Sequence, residues 1–202
     1  SVQKLPKLLE CDKESLLNAF MSCAELRLFP SGVGGEAYVI PYKGKAQFQL
    51  GYQGIITLLF RAGLESVRTA IVYKNDQFNY EEGLKPILEH KPVVFGADKG
   101  EAIGVYAVAV INGQSVFKVM SKEEVMKFKK FSQSAGSEYS PWNPENDPEA
   151  HMWRKTAIKQ LAKLLPKNDE VMQAIDKDNQ ESTIAARNSA LDAGGVAVGV
   201  AN

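Results

Sequence analysis

Residues 37–63 read AYVIPYKGKAQFQLGYQGIITLLFRAG, without a single Asp or Glu. Two runs of strand-forming residues flank Lys43-Gly44, which predicts a hairpin. In the second run Ala46, Phe48 and Leu50 alternate with Lys45, Gln47 and Gln49. A period of two puts the first set on a core face and the second on an open one. Gly51 ends the strand. Tyr52 to Ala62 then has helical spacing, with Ile55, Ile56, Leu59 and Phe60 inward and Gly63 at its C-terminal end. The open face runs into Tyr52, Gln53 and Arg61 and suits an anion, because glutamine amides both donate and accept without fixed charge. A solvated sheet face accounts for the same residues.

On the N-terminal side, Asp12 has the place of a helix N-cap, and Leu16, Leu17, Phe20, Met21, Ala24 and Leu28 follow at helical spacing. Pro30 to Gly35 is a loop rich in breakers. On the C-terminal side, Val67 to Tyr73 predicts a strand that Asn75-Asp76 turns back into Phe78 to Glu81. Arg68 points away from Val67, Thr69 and Ile71, which makes it a candidate phosphate contact beside Gln47 and Gln49. Pro86 and Pro92 argue against a long regular element between them. Ile103–Ile111 and Ser115–Val119 flank Asn112-Gly113, the strongest hairpin signal in the chain. The first of these strands is apolar on both faces, as a central strand covered on both sides would be.

Ser121 and Glu124 form a capping box that opens a short helix. Here Lys118, Lys122, Lys127, Lys129 and Lys130 outnumber Glu123 and Glu124. Residues 132–147 form a polar loop too long for a plain connector, with Tyr139 and Trp142 as its large side chains. Asp147-Pro148-Glu149 has the pattern of a helix start, and the helix is expected to run to Leu165 and stop at Pro166. Trp153, Ala157, Leu161 and Leu164 make its apolar stripe. Lys155, Lys159 and Lys163 recur every four residues as a ridge, with Arg154 beside them and no carboxylate from His151 to Lys167. Like charges at that spacing repel, so a neutralising anion is expected. Asp169 to Asp178 predicts a short helix with Val171, Met172 and Ile175 inward.

The expected fold is α+β: a mostly antiparallel sheet of about five strands packed with helices, with a long basic helix near the C-terminus. Residues 1–178 form the core, and 179–202 an acidic, then small-residue, tail. Lys plus Arg equals Asp plus Glu at 24 each among 202 residues, so any basic surface must be local. Cys11 and Cys23 are too few for a disulfide framework, or for a zinc site with His90 and His151, and fit a reduced intracellular setting. No run reaches membrane-spanning length, and no signal peptide is expected. There is no P-loop and no Gly-x-Ser-x-Gly elbow, so no catalytic centre and no cofactor are expected. Asp76, Glu81 and Glu82 are the candidates for magnesium if one binds.

Several of these words recur together in one family. Ala37-Tyr38-Val39-Ile40-Pro41-Tyr42, then Gln47-Phe48-Gln49-Leu50-Gly51-Tyr52-Gln53-Gly54, closely resemble the RecT family of phage and prophage recombinases. Val72-Tyr73-Lys74-Asn75-Asp76 with Phe78, Tyr80 and Gly83, then Met120-Ser121, Pro141-Trp142, and Lys155-Thr156 through Leu165-Pro166 follow in order. The resemblance implies an ATP-independent protein that coats single-stranded DNA and anneals it to a complementary strand. It also implies head-to-tail homo-oligomers as rings or helical filaments, a bacterial cytoplasmic location, and partners such as a phage exonuclease and a host single-strand-binding protein. On that reading Arg154, Lys155, Lys159 and Lys163, with Lys118, Lys127, Lys129 and Lys130, line one groove. Lys45, Gln47, Gln49, Tyr52, Gln53, Arg61 and Arg68 form its floor or opposite wall, and Trp142 lies near the bases or at a subunit junction. The acidic segment after Asp169 is expected to dock on the basic groove of its own or a neighbouring subunit when DNA is absent. The rival reading is an oligomeric scaffold whose basic helix holds an acidic partner.

Overall fold

The computed structural model describes residues 6–30, 34–132, 135–166 and 169–194, by backbone alone from residue 182. Its elements are α1 (Pro6–Leu9), α2 (Lys13–Glu25), β1 (Ala37–Tyr42), β2 (Lys45–Leu50), α3 (Tyr52–Arg61), β3 (Ser66–Tyr73), β4 (Gln77–Glu81), β5 (Ile87–Lys91), β6 (Ala102–Ile111), β7 (Gln114–Ser121), α4 (Lys122–Lys129), α5 (His151–Ala162) and α6 (Asp169–Gly194). The fold is α+β as expected, but the described strands are divided among three antiparallel sheets, β1-β2, β3-β6-β7 and β4-β5, instead of one. The turn at Asn75-Asp76 leads into β4, yet β4 pairs with β5 and β3 pairs with β6. The missing partner was the stretch around Pro86, whose prolines frame β5 without interrupting it.

β6 is the central strand of its sheet, and Asn112 and Gly113 both have positive φ, as its tight turn requires. Val105, Ala107 and Ala109 are fully buried on the face that α5 covers. Tyr106 points the other way, where Phe78 stacks on it at 5.9 Å and Tyr80 meets Phe117 edge-on. The β4-β5 hairpin therefore covers the second face. Beyond α5 lie α3 and α6, then the β1-β2 hairpin, then α2.

The hairpin-to-helix passage is held by close backbone approach. Gly51 N–H donates to Glu36 O at 2.8 Å. A Cβ on Gly51 would lie 1.9 Å from Gly35 O, and one on Gly54 would lie 2.1 Å from Glu36 O. Only glycine permits chain contact this tight.

Several local expectations change. Gln47 is buried with 7% exposure, because both α2 and α6 pack on β2 and leave it no open face. Leu58, not Phe60, joins Ile55 and Leu59 in the core, and Phe60 is exposed. In α2, capped by Asp12, it is Ala19 and Cys23 that are buried, while Leu17 and Met21 face outward. α5 begins at His151 because Ala150 sits in the left-handed region, although Asp147 still accepts from Met152 N–H at 3.0 Å. It ends at Ala162, and Leu164 is exposed. The basic helix is thus short. The long helix is α6, which is acidic and continuous across the 178/179 junction. The tail from residue 195 lies outside the described residues.

Candidate nucleic-acid interface

α5, α6, the β1-β2 hairpin and the segment between α4 and α5 enclose a groove of about 700 Å³. The four-residue spacing on α5 does bring Lys155, Lys159 and Lys163 to it, along one wall. Gln49 and Tyr42 line it from the hairpin, Phe128 from the end of α4, and Phe131 and Trp142 from the connecting segment. The loop that carries Trp142 is braced from within. Asn146 Nδ2 donates to Glu138 O at 2.7 Å and Ser140 O at 3.1 Å, and Asn143 Nδ2 to Glu138 O at 3.2 Å. Trp142 is 6% exposed, and its Nε1–H has no acceptor among the described residues. A buried donor left unpaired is costly, so the wall is one hydrogen bond short.

The lysine ridge already meets an anion. Asp178 Oδ2 lies 3.0 Å from Lys155 Nζ and 2.9 Å from Lys159 Nζ, and Oδ1 accepts from Leu50 N–H at 2.9 Å. Both lysine side chains are about 85% covered, being 16% and 15% exposed. Lys159 also donates to Asn179 Oδ1 at 2.6 Å, whereas the exposed Lys163, among the described residues, reaches Gln160 Oε1 at 3.2 Å. Burial pushes the Asp178 carboxyl up, but Lys155 and Lys159 outweigh it and hold the group below the usual aspartate range. Burial pulls the Lys159 ammonium below its usual range; Asp178 opposes this, while Lys155 and Lys163 add to it. One carboxylate cannot fully balance two buried ammonium groups, so the wall keeps an excess of positive charge.

The other expected contacts fall elsewhere. Arg61 donates to Leu26 O at 2.9 Å and Arg27 O at 2.8 Å, which ties the end of α2 to α3. Arg154 Nη1 donates to Thr69 O at 2.7 Å, and Tyr52 OH hydrogen-bonds with Thr69 Oγ1 at 2.8 Å, so both brace β3 against α5 and α3. Arg68 is exposed opposite Val108, on the face away from α5 and in a different sheet from Gln47 and Gln49. Lys118 lies opposite Ala107, at the edge of the face that α5 covers. Lys45 is exposed beside the hairpin turn, and Gln53 is exposed next to Gly35. Lys127, Lys129 and Lys130 flank Phe128 at the end of α4. Of the magnesium candidates, Asp76 is spent on His90 and two backbone N–H groups and Glu82 bonds Tyr80. No cluster of three potential ligands occurs among the described residues.

Tyr42, Phe128, Phe131 and Asp178 were not anticipated as groove residues. The two phenylalanines, three apart among the lysines, carried a readable signal. Asp178 carried none, being one acid among several in its segment.

This arrangement sits on the scaffold of a known class. The sequence pattern of the RecT family matches residues 1–191, and the chain belongs to that family of DNA-recombination, strand-annealing proteins. It is 32% identical over 191 residues to "Protein RecT" of Escherichia coli (strain K12), covering 89% of this chain and 68% of that one. It is 29% identical over 184 residues to "Uncharacterized protein YqaK" of Bacillus subtilis (strain 168), covering 84% and 61%. Among the described residues no helix is long and apolar enough to cross a membrane.

Proposed function

We propose that this chain binds single-stranded DNA without nucleotide hydrolysis and anneals it to a complementary strand, working as a homo-oligomeric ring or filament in the bacterial cytoplasm. The observation that carries the reading is the shared groove: a line of lysines on α5 faces Tyr42, Phe128 and Phe131 across one cavity. Lysines neutralise phosphates without reading sequence. Aromatic faces accept any base, which leaves pairing edges free to test a partner strand. Phe131, 67% exposed, is the most open of these faces. Pairing of the strands supplies the free energy, so no cofactor is needed; magnesium would act on the DNA. Lys127, Lys129 and Lys130 extend the cationic rim, and an exonuclease and a single-strand-binding protein are the proposed partners.

The test is fluorescence anisotropy with a labelled oligonucleotide, offered as single strand, as duplex, and as two complementary strands added in turn. Steeply salt-dependent binding of the single strand, with faster pairing of the second strand and no ATP, is the expected result. Binding of an acidic protein but of no oligonucleotide would favour the scaffold reading.

A further inference from the structure

The geometry points to Asp178 as an internal stand-in for a DNA phosphate: its carboxylate occupies a phosphodiester site made by Lys155, Lys159 and the Leu50 N–H, and DNA entry displaces it. The inference rests on the strand-binding function proposed above and adds the site at which the first contact is made and the element that moves.

Two lysine ammonium groups and a backbone N–H converge on the two carboxylate oxygens at 2.9–3.0 Å. That is a donor set for a tetrahedral oxyanion as much as for a carboxylate. A phosphodiester brings the same single charge and can enter only from the groove, which Lys155, Lys159 and Asp178 all line. The exchange is near balance because one anion replaces another against unchanged donors. DNA gains beyond that from Lys163, whose partner among the described residues is the neutral Gln160, and from the aromatic walls.

α6 is built so that part of it can leave. Val171, Ala174 and Ile175 are buried in the core and fix its first turns. From Asp176 to Glu181 the described residues bury only Asp178, whose ion pairs are the most enclosed of the contacts that hold this stretch, beside the exposed Lys177–Glu25 pair and the Lys159–Asn179 bond. Displacing Asp178 loosens residues 176–181 while 169–175 stays in place. The acidic segment thus covers the groove as its charge suggested, but the residue that does so lies just before the supposed tail. Removing residues 179–202 leaves Asp178 in place.

The experiment pairs hydrogen exchange with one substitution. On adding an oligothymidine strand to the full chain, exchange at residues 176–181 should rise while that at 171–175 stays constant. Asp178→Asn keeps an acceptor for Leu50 N–H but frees both lysines, and should tighten oligonucleotide binding roughly tenfold, as expected for the loss of one competing charged hydrogen bond. Unchanged or slowed exchange at 176–181 in the bound protein overturns the proposal. So does equal or weaker binding by a D178N protein with the wild-type circular dichroism spectrum. If D178N does not fold, the exchange measurement on the wild type decides alone. If the wild type binds no oligonucleotide at any salt concentration, the strand-binding reading fails and takes this one with it; binding with α6 unmoved overturns this one only.

Discussion

Two shielded aspartates organise opposite sides of this molecule, and they are satisfied in different ways. Under the β4-β5 hairpin, the half-buried Asp76, its side chain shielded from solvent, accepts from Tyr73 N–H and Val93 N–H, both at 2.8 Å, and meets His90 Nε2 at 3.0 Å. His90 Nδ1 lies 3.2 Å from Tyr106 OH, which closes a chain from the hairpin to the central strand. Donors and acceptors match there, and apolar rings pack around them. At the groove, Asp178 stands between two lysines, and a third lysine and an indole N–H without an acceptor among the described residues line the same cavity. The first constellation is closed and holds structure. The second has surplus donors and is suited to receive a ligand. Burial alone did not separate them; the balance of partners did.

The largest effect expected from breaking this contrast is on stability at the closed end. Asp76→Ala leaves two backbone N–H groups and His90 without their acceptor. Orphaning a shielded network of this kind costs about 1–3 kcal/mol. Denaturant unfolding should show that loss, while the oligonucleotide affinity of the fraction still folded changes less than about twofold, since the groove lies across the sheet. A comparable loss of affinity would mean that the two ends are coupled.

Acid should act on both ends. Burial raises the Asp76 carboxyl, yet the Tyr73 and Val93 N–H groups and His90 prevail and hold it below its ordinary value. Asp178 is also held low. A carboxyl with a folded pKa below its unfolded value of about 3.9 adds stability that is complete above the unfolded value. The contribution fades as pH falls through the folded value. Melting temperature should therefore be flat from neutral pH down to about pH 5 and drop below about pH 4. In Asp76→Asn the drop should be shallower than in the wild type; an unchanged slope would remove Asp76 from this account.

Lys155 and Lys159 provide a finer comparison within the groove. Burial and the neighbouring lysines hold the Lys159 ammonium low, so its charge is kept at a cost. Lys159→Met should leave stability within about 1 kcal/mol of wild type, because a well-packed apolar replacement relieves the surplus charge. It should still weaken single-strand binding. Tighter binding by this variant would contradict a phosphate role for the ridge.

Much of this was legible in advance and some was not. The β1-β2 hairpin, the Asn112-Gly113 turn, the Ser121 cap and the lysine spacing on α5 depend on neighbours in sequence, and each stands where local pattern puts it. The failures are tertiary. Gln47 reads as solvent-facing by alternation, but two helices pack on its strand. Arg61 and Arg154 read as free cations, but carbonyls distant in the chain use them as braces. The division into three sheets turns on β5, whose flanking prolines masked it. Asp178 reaches its lysines across 23 and 19 positions, a separation at which no local pattern operates.

The smallest expected effect is the most specific. Lys163 lies on the same ridge but is exposed, with a neutral partner, Gln160. Lys163→Ala should change stability by no more than about 0.5 kcal/mol, as is usual for a surface position outside any network. If it contacts one phosphate, the plot of log affinity against log salt should lose about one unit of slope, equally for every oligonucleotide sequence. Lys159→Met mixes this electrostatic loss with relief of a buried charge, whereas Lys163→Ala isolates it. A full slope in Lys163→Ala, with a reduced one in Lys159→Met, would confine the DNA to the inner part of the groove, between Asp178 and the aromatic wall.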